Sequence, residues 1–165
     1  MKLFIRRFPD PILREKSDEI KKIDKNLIDF IEKLKDLMYS NKGCVGIAAP
    51  QVGFLKKIVL VDTSKHKKAI ENHGFLLMIN PQIIECDGVT ITREGCLSVP
   101  DFTGNVTRFE NIKVKYFDIS GEAKSIMTFG FEAVVIQHEI DHLDGVLFID
   151  RIKNSKRDLF NRKNY

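Results

Sequence analysis

The sequence predicts a single α+β domain in which mostly antiparallel sheets pack around a central helix, with a further helix on the N-terminal side. The first observation is the order of the elements: one helical segment, several short apolar runs and a second helical segment follow one another. Strands grouped in this way are typical of α+β domains. The second observation is size, because 165 residues with 43% hydrophobic content suffice for one buried core without disulfides. We therefore interpret residues 1–165 as one domain with a basic C-terminal tail at 151–165.

The first helix is predicted over residues 26–40. Its apolar residues recur at Leu27, Ile31, Leu34 and Met38, and its charged residues occupy the other side. This spacing is that of an amphipathic helix, and a glycine follows the segment, as is common after helix ends.

The middle of the chain is predicted to form strands and hairpins. Short apolar runs bounded by polar residues indicate two strands, at 57–62 and 75–80. A hairpin is predicted for 81–86 and 89–92 around Asp87-Gly88, and another for 112–117 and 123–129 around Ser120-Gly121. The polar loop 63–74 holds two histidines, His66 and His73, which we expect to be solvated because neither has a partner at ligand spacing.

The second helix is predicted within residues 131–145 and has the features of a metal-binding helix. His138 and His142 are four residues apart, so both imidazoles lie on one helix face, one turn apart. Glu139 lies beside that face, where a general base acting on metal-bound water would be placed. The same stripe continues through three apolar residues, Phe131, Val134 and Val135, so we expect this face to be buried against a sheet.

A catalytic metal site needs a third protein ligand. The downstream positions that related helices use carry neither His nor Glu here, and Asp144, Asp150 and Asp158 are weak candidates. Of the three cysteines, Cys96 is slightly favoured because small residues flank it and a thiolate suits a borderline divalent ion. Cys44 and Cys86 are expected to be small buried hydrophobic residues rather than ligands.

Charge and composition limit the partners and the location. A net charge of +4 is mild for a nucleic-acid binder, and we expect no DNA partner. The basic tail is interpreted as a solvated terminal helix, with a contact to something acidic as the alternative. No apolar run is long enough to span a membrane and no secretion signal is visible, so we expect a cytoplasmic protein. The three cysteines, which cannot all pair and show no disulfide spacing, are in keeping with a reducing compartment.

Three motifs together resemble those of the peptide deformylase family. They are Val-Gly-Ile-Ala-Ala-Pro-Gln at 45–51, Glu-Gly-Cys-Leu-Ser at 94–98 and Gln-His-Glu-Ile-Asp-His-Leu-Asp-Gly at 137–145. They occur in the order and with the spacing of that family. Residues 9–14 and 145–150 are also similar, so the resemblance covers nearly the whole chain.

The resemblance implies a complete set of site residues. Cys96, His138 and His142 are expected to hold one divalent metal, physiologically Fe²⁺, with Zn²⁺, Ni²⁺ or Co²⁺ possible in preparations. Glu139 is expected to act as general acid/base, and Gln51 and the backbone N–H of Leu97 as the oxyanion hole. The residues expected to bind substrate are Val45, Gly46, Gly95, Phe131, Val134 and Val135.

The implied reaction removes the formyl group from the N-terminal formylmethionine of nascent polypeptides and releases formate. Metal-bound hydroxide would attack the formyl carbon while Glu139 manages the proton. Glu94 and Arg108 are expected to form an ion pair beside Cys96.

Two positions depart from the family pattern. Cys44 stands where the first motif usually has Gly, and Thr103 stands where many relatives carry Arg. The basic tail could touch ribosomal RNA through charge alone.

The alternatives to a deformylase are a non-catalytic peptide binder with a structural metal and a metalloprotease that cleaves internal bonds, both disfavoured by the residues present.

Overall fold

An antiparallel sheet dominates the computed structural model, which describes residues 2–163. Its strands pair in the order β1-β2-β3-β4-β5, and β6 pairs with β4 near the start of that strand. The strands are β1 (Gly46–Ala48), β2 (Ile58–Asp62), β3 (Phe75–Cys96), β4 (Val99–Phe117), β5 (Ala123–Phe129) and β6 (Leu159–Asn161). The α-helices are α1 (Lys25–Ser40), α2 (Gly130–Leu143) and α3 (Ser155–Asp158), and short 3-10 helices span Pro11–Arg14, Ala49–Val52 and Phe148–Arg151. The predicted α+β fold class is confirmed.

Helix α1 packs as its sequence predicts and begins one residue before the predicted start. The Asp24 side chain accepts a hydrogen bond from the Leu27 N–H (2.9 Å) and caps the first turn. The four apolar residues that define the helical stripe are all buried. They pack on Ile58 and Leu60, which point to one face of β2.

Helix α2 packs against the opposite face of β2 and is buried. Val59 and Val61 alternate with the residues that contact α1 and pack instead against Val135 and other residues of α2. The burial of this helix is more extensive than the predicted apolar face, because its polar residues are buried as well, including Glu132 and His142. Buried polar side chains need partners, and these partners define the functional site described below.

The hairpin predicted around Asp87-Gly88 is wrong. Strand β3 runs straight through this pair, with Asp87 opposite Asn111 and Val89 opposite Phe109 on β4. Gly88 has a φ of 70°, and its N–H donates to the Asp87 side chain (2.8 Å), so the turn-forming residues produce a local distortion and not a reversal. Pairing with the long strand β4 outweighs the local turn preference. The reversal occurs instead at residues 97 and 98, while the hairpin predicted between residues 117 and 123 is confirmed.

The C-terminal tail is not the predicted solvated helix. After the short helix α3, residues 159–161 turn back and pair with residues 102–104 of β4. Residues 164 and 165 of the predicted tail lie outside the described part of the chain. Within residues 2–163, none of the helices combines the length and the apolar character that crossing a bilayer requires.

Candidate functional site

Three possible metal ligands meet where the β3–β4 turn approaches helix α2. Cys96 is the last residue of β3, whereas His138 and His142 lie on consecutive turns of α2. One ligand atom from each of the three lies within 4.8 Å of the other two, and all three residues are buried. Within residues 2–163, no other group of three such side chains meets this criterion.

The spacing of these donors fits a tetrahedral ion. The Cys96 sulfur and His142 Nε2 are 3.4 Å apart. Metal bonds of about 2.3 Å to sulfur and about 2.1 Å to nitrogen, at a tetrahedral angle, place those two atoms about 3.6 Å apart. His138 uses its Nδ1 to contact Glu94, 2.8 Å away, which leaves Nε2 available as a ligand. One thiolate and two imidazoles form a donor set suited to borderline divalent metals.

Glu94 fixes the orientation of His138 and is itself held by Arg108. Two nitrogens of the Arg108 guanidinium donate to the two carboxylate oxygens of Glu94, each at 2.8 Å, so the expected ion pair is confirmed. Burial disfavours the Glu94 carboxylate, but hydrogen bonds from Arg108 and His138 outweigh it and lower the pKa of Glu94 to about 2. Arg108 also contacts Asp141 at 2.6 Å, and Asp141 is shared with Arg151. The chain from Asp141 to His138 thus holds one imidazole in a single orientation.

The two imidazoles differ in their protonation. Burial opposes a charge on His138, but the adjacent Cys96 and Glu94 side chains raise the pKa of His138 well above its usual value. Burial and the neighbouring charge of His138 lower the pKa of His142 well below its usual value. A cation that binds His138 therefore competes with a proton for this imidazole.

Glu139 is a buried carboxylate beside the donor group. Within the described residues its Oε2 has no hydrogen-bond partner, and burial raises the pKa of Glu139 to about 7. A carboxyl with that pKa can both accept and donate a proton near neutral pH. Gly46 of β1 makes room for it, because a Cβ at this position would lie 2.8 Å from Glu139 Oε1.

Gln51 and Leu97 lie on two sides of Cys96. Gln51 is buried in the short helix Ala49–Val52, and its Oε1 accepts a hydrogen bond from the Ala48 N–H (2.9 Å). Its Nε2 therefore faces Ser98 Oγ at 3.1 Å and the Cys96 sulfur at 3.5 Å. Leu97 occupies the turn between β3 and β4. The Gln51 amide is therefore placed to donate a hydrogen bond toward a group bound next to the sulfur, and Leu97 lines the same cavity.

A cavity of about 280 Å³ opens above these residues. Its lining includes every residue predicted to bind substrate: Val45, Gly46, Gly95, Phe131, Val134 and Val135. Gln51, Leu97 and Glu139 also line it, together with two of the three metal-ligand candidates. A larger groove of about 810 Å³ lies against α1 and contains none of the predicted site residues.

The predictions about nearby residues are only partly confirmed. His73 is exposed as expected, but its Nδ1 lies 2.5 Å from buried Glu132, whereas His66 is half-buried and its ring stacks on Phe131 at 4.3 Å. Cys86 is exposed rather than buried, since the strand that carries it continues along the sheet surface. Cys44 is only partly buried and lines the cavity; burial, with a smaller contribution from Glu139, raises the pKa of its thiol to about 12.

The sequence analysis also missed Arg162 at the cavity. Its guanidinium lies where a Cβ on Gly95 would be, because an Nη2 atom is 1.9 Å from that position. Gly95 is therefore next to the C-terminal segment as well as to the cavity. No local pattern indicates that this segment returns to the site.

Comparisons with known proteins agree with this geometry. The family described as Polypeptide deformylase matches residues 2–158. The chain is 42% identical to the peptide deformylase of Thermodesulfovibrio yellowstonii over 161 residues, which are 98% of this chain and 95% of that protein. It is 45% identical to that of Halothermothrix orenii over 150 residues, or 91% and 93% of the two chains.

The crystal structure of peptide deformylase from Thermotoga maritima superimposes with a TM-score of 0.84 at 40% identity, covering 93% of this chain and 99% of the other. A peptide deformylase from Synechococcus elongatus in complex with actinonin gives a TM-score of 0.84 at 37% identity, with 92% and 79% covered.

Proposed function

The chain belongs to the polypeptide deformylase family, and we propose that it removes the formyl group from the N-terminal formylmethionine of nascent polypeptides, releasing formate. The observation that carries this proposal is the meeting of Cys96, His138 and His142 beside Glu139 in one buried group. These residues are brought together from two elements that are far apart in the sequence.

The proposed ligands of the metal are Cys96, His138 and His142. Fe²⁺ is the proposed physiological ion, and Zn²⁺, Ni²⁺ or Co²⁺ suit the same donors. When bound, a divalent ion in such a site supplies Lewis acidity, which activates water and polarises a carbonyl oxygen. The chain of contacts from Arg108 and Glu94 to His138 would hold that imidazole in a fixed orientation for the metal.

Glu139 is the proposed general base and general acid. Its unpartnered Oε2 is the atom that takes a proton from the attacking water, and the same carboxyl then delivers the proton to the departing amine nitrogen. A carboxyl whose pKa lies near 7 can perform both transfers without a large energetic penalty in either direction.

Gln51 and Leu97 are proposed to stabilise the negative charge that develops on the formyl oxygen. The Gln51 amide is held by the backbone of Ala48 and cannot rotate away from the site without losing that bond. Loss of one such donor typically lowers the rate by about 10²- to 10³-fold.

The methionine side chain is proposed to enter the apolar part of the cavity. Val45, Phe131, Val134 and Val135 form this part and present no charge to a thioether chain. Gly46 and Gly95 are proposed to meet the peptide backbone, with Gly95 sharing its surface with Arg162.

A direct assay tests the proposed reaction. The protein, loaded with Fe²⁺ under anaerobic conditions, is expected to release formate from a formyl-Met tripeptide and to leave an unformylated peptide intact. Cleavage of an internal bond would favour a protease, and metal binding without formate release would favour a peptide-binding protein. Cys96→Ser and Glu139→Gln are the matched variants, because only the first is expected to lose the metal.

We further propose a cytoplasmic location, and a weak contact between the basic segment 151–163 and ribosomal RNA. Part of this segment is folded against β4, and within it Arg157 pairs with Asp158 at 2.9 Å, so the charge of the segment is partly neutralised within the protein. Binding to ribosomes that does not weaken as salt increases would contradict a charge-based contact.

A further inference from the structure

Cationic side chains surround the mouth of the active-site cavity. Lys42 precedes β1, Lys68 lies in the loop after β2, and Arg93 is on β3. All three line the cavity and are exposed to solvent. Within residues 2–163, none of them forms an ion pair with a carboxylate.

The carboxylates that line the cavity do not neutralise this charge. There are two among the described residues, Glu94 and Glu139, and both are buried at the base. Glu94 already receives two hydrogen bonds from Arg108 and contacts His138. The rim therefore presents a positive potential to whatever enters the cavity.

Arg93 is the best-ordered member of this rim. Its guanidinium lies 3.6 Å from the centre of the Phe160 ring, and its Nε donates to Thr103 Oγ1 at 3.1 Å. Strands β4 and β6 thus hold the cation in place before any ligand arrives, which reduces the entropy lost on binding. Lys68 is placed more loosely, with its ammonium 5.9 Å from the Phe131 ring centre.

We propose that this cationic rim selects formylated chains that carry an acidic side chain on the first or second residue after methionine. The inference rests on the proposed deformylase function and specifies its substrates further. The cavity of about 280 Å³ is at the lower limit for ligand pockets, so it holds little more than the formylmethionyl residue. The following residues, each advancing about 3.3–3.6 Å along an extended chain, reach the level of the rim.

The position of the cations favours a peptide over a nucleic acid as their partner. Lys42, Lys68 and Arg93 belong to the lining of one small opening. A duplex or long strand of RNA is bound along extended basic surfaces, whereas a ring of charge around a cleft acts on a chain that enters the cleft.

Two sets of three peptides that differ chiefly in charge test the proposal. Formyl-Met-Ala-X with X as Glu, Gln or Lys, and the set with the variable residue directly after Met, are compared by kcat/KM with the iron-loaded protein. We expect the order Glu, Gln, Lys, with a total range of roughly 5- to 30-fold at low salt, since each exposed ion pair contributes about 2- to 5-fold. The range should shrink strongly in 0.5 M salt, where charges are screened within a few ångströms.

Variants of the rim separate this effect from the reaction itself. Lys42→Gln and Arg93→Gln should each reduce the Glu-to-Lys ratio by about 2- to 5-fold. Lys33→Gln, which removes one exposed charge from helix α1, is the matched control and should leave the ratio unchanged. Equal rates for the three peptides, or a preference for Lys, would overturn the proposal.

A binding measurement keeps the inference separate from the proposed reaction. Fluorescein-labelled versions of the same peptides are titrated with metal-loaded Glu139→Gln protein, and the Glu peptide should bind most tightly. If the unaltered protein deformylated no peptide, the proposed deformylase function would fail. The order of peptide affinities would still decide whether the cationic rim prefers acidic side chains. Indistinguishable binding of the Glu and Gln peptides would overturn the inference, and Lys42-dependent binding of a ten-nucleotide RNA would then assign the rim to nucleic acid.

Discussion

The replacement Glu94→Gln tests the link between the fold and the metal site. Glu94 is the shared partner of Arg108 and His138, and the side chains of Glu94 and Arg108 are only 6% and 3% exposed. The amide keeps the shape of the carboxylate and removes its charge. Breaking a buried ion pair by removing one partner costs about 3–5 kcal/mol. Because Arg108 retains Asp141, we expect the loss in the free energy of unfolding to lie near the lower end, about 3 kcal/mol.

The pKa of Glu94 gives a similar magnitude and fixes its pH dependence. A carboxyl with a pKa of about 2 in the folded protein, against an ordinary 4.5, contributes about 3 kcal/mol at about 1.4 kcal/mol per pH unit. Because folding lowers this pKa, the contribution is fully present above about pH 4.5 and is lost as the pH falls toward 2. The stability difference between the unaltered protein and Glu94→Gln should therefore shrink between pH 5 and pH 3.

Urea unfolding of the metal-free proteins at several pH values measures this difference, and competition with a chelator measures metal affinity. We expect Glu94→Gln to weaken metal binding by about 10- to 100-fold, because the orientation of His138 is no longer fixed. Glu85→Gln, on an exposed part of the same strand, is the control and should change stability by less than about 0.5 kcal/mol. If Glu94→Gln matched this control in both stability and metal affinity, the reasoning about the buried chain of contacts would be refuted.

Four further predictions concern the reaction, the packing and the metal. Glu139→Gln should keep the metal and lower kcat by about 10²- to 10⁴-fold; near-normal turnover with bound metal would contradict its role. Gly46→Ala should lower kcat/KM at least about tenfold, because its Cβ would meet the Glu139 carboxylate at 2.8 Å and displace it; unchanged kinetics would count against this placement. Gly145→Ala should lower the free energy of unfolding by at least about 3 kcal/mol, because its Cβ would lie 2.3 Å from a backbone oxygen. Gly74→Ala is the control: it has a similar positive φ but nothing within 4 Å, so its loss should be only about 1–2 kcal/mol. Equal thermal stabilities of the two variants would contradict this difference. Metal binding should release a proton from His138, which a pH indicator in weakly buffered solution would detect. Metal affinity should therefore fall by up to about tenfold for each unit by which the pH is lowered. An affinity independent of pH would contradict the raised pKa of this residue.

Local patterns predicted the parts of the fold that local physics determines. The apolar stripe of α1 predicted its buried face, and the spacing of His138 and His142 placed both rings on one side of α2. The second hairpin follows from its turn residues. The Asp87-Gly88 turn failed because a strand paired over its whole length gains more from its neighbour than from a local turn.

The candidate site depended on contacts between distant residues, which spacing alone does not determine. Cys96 had only a slight advantage over the other cysteines until the family resemblance was considered, and the structure brings it to the histidines through the β3–β4 turn. The contact between Glu94 and His138 joins residues 44 positions apart. The placement of Arg162 depends on the return of the chain to β4, for which no local signal exists.

The metal-edge X-ray absorption spectrum of the zinc-loaded protein is the most direct test of the central claim that one thiolate and two imidazoles share an ion. We expect one sulfur at about 2.3 Å and two imidazole nitrogens at about 2.0–2.1 Å, with the sulfur contribution lost in Cys96→Ser. A first coordination shell of nitrogen and oxygen only, in the unaltered protein, would contradict the account.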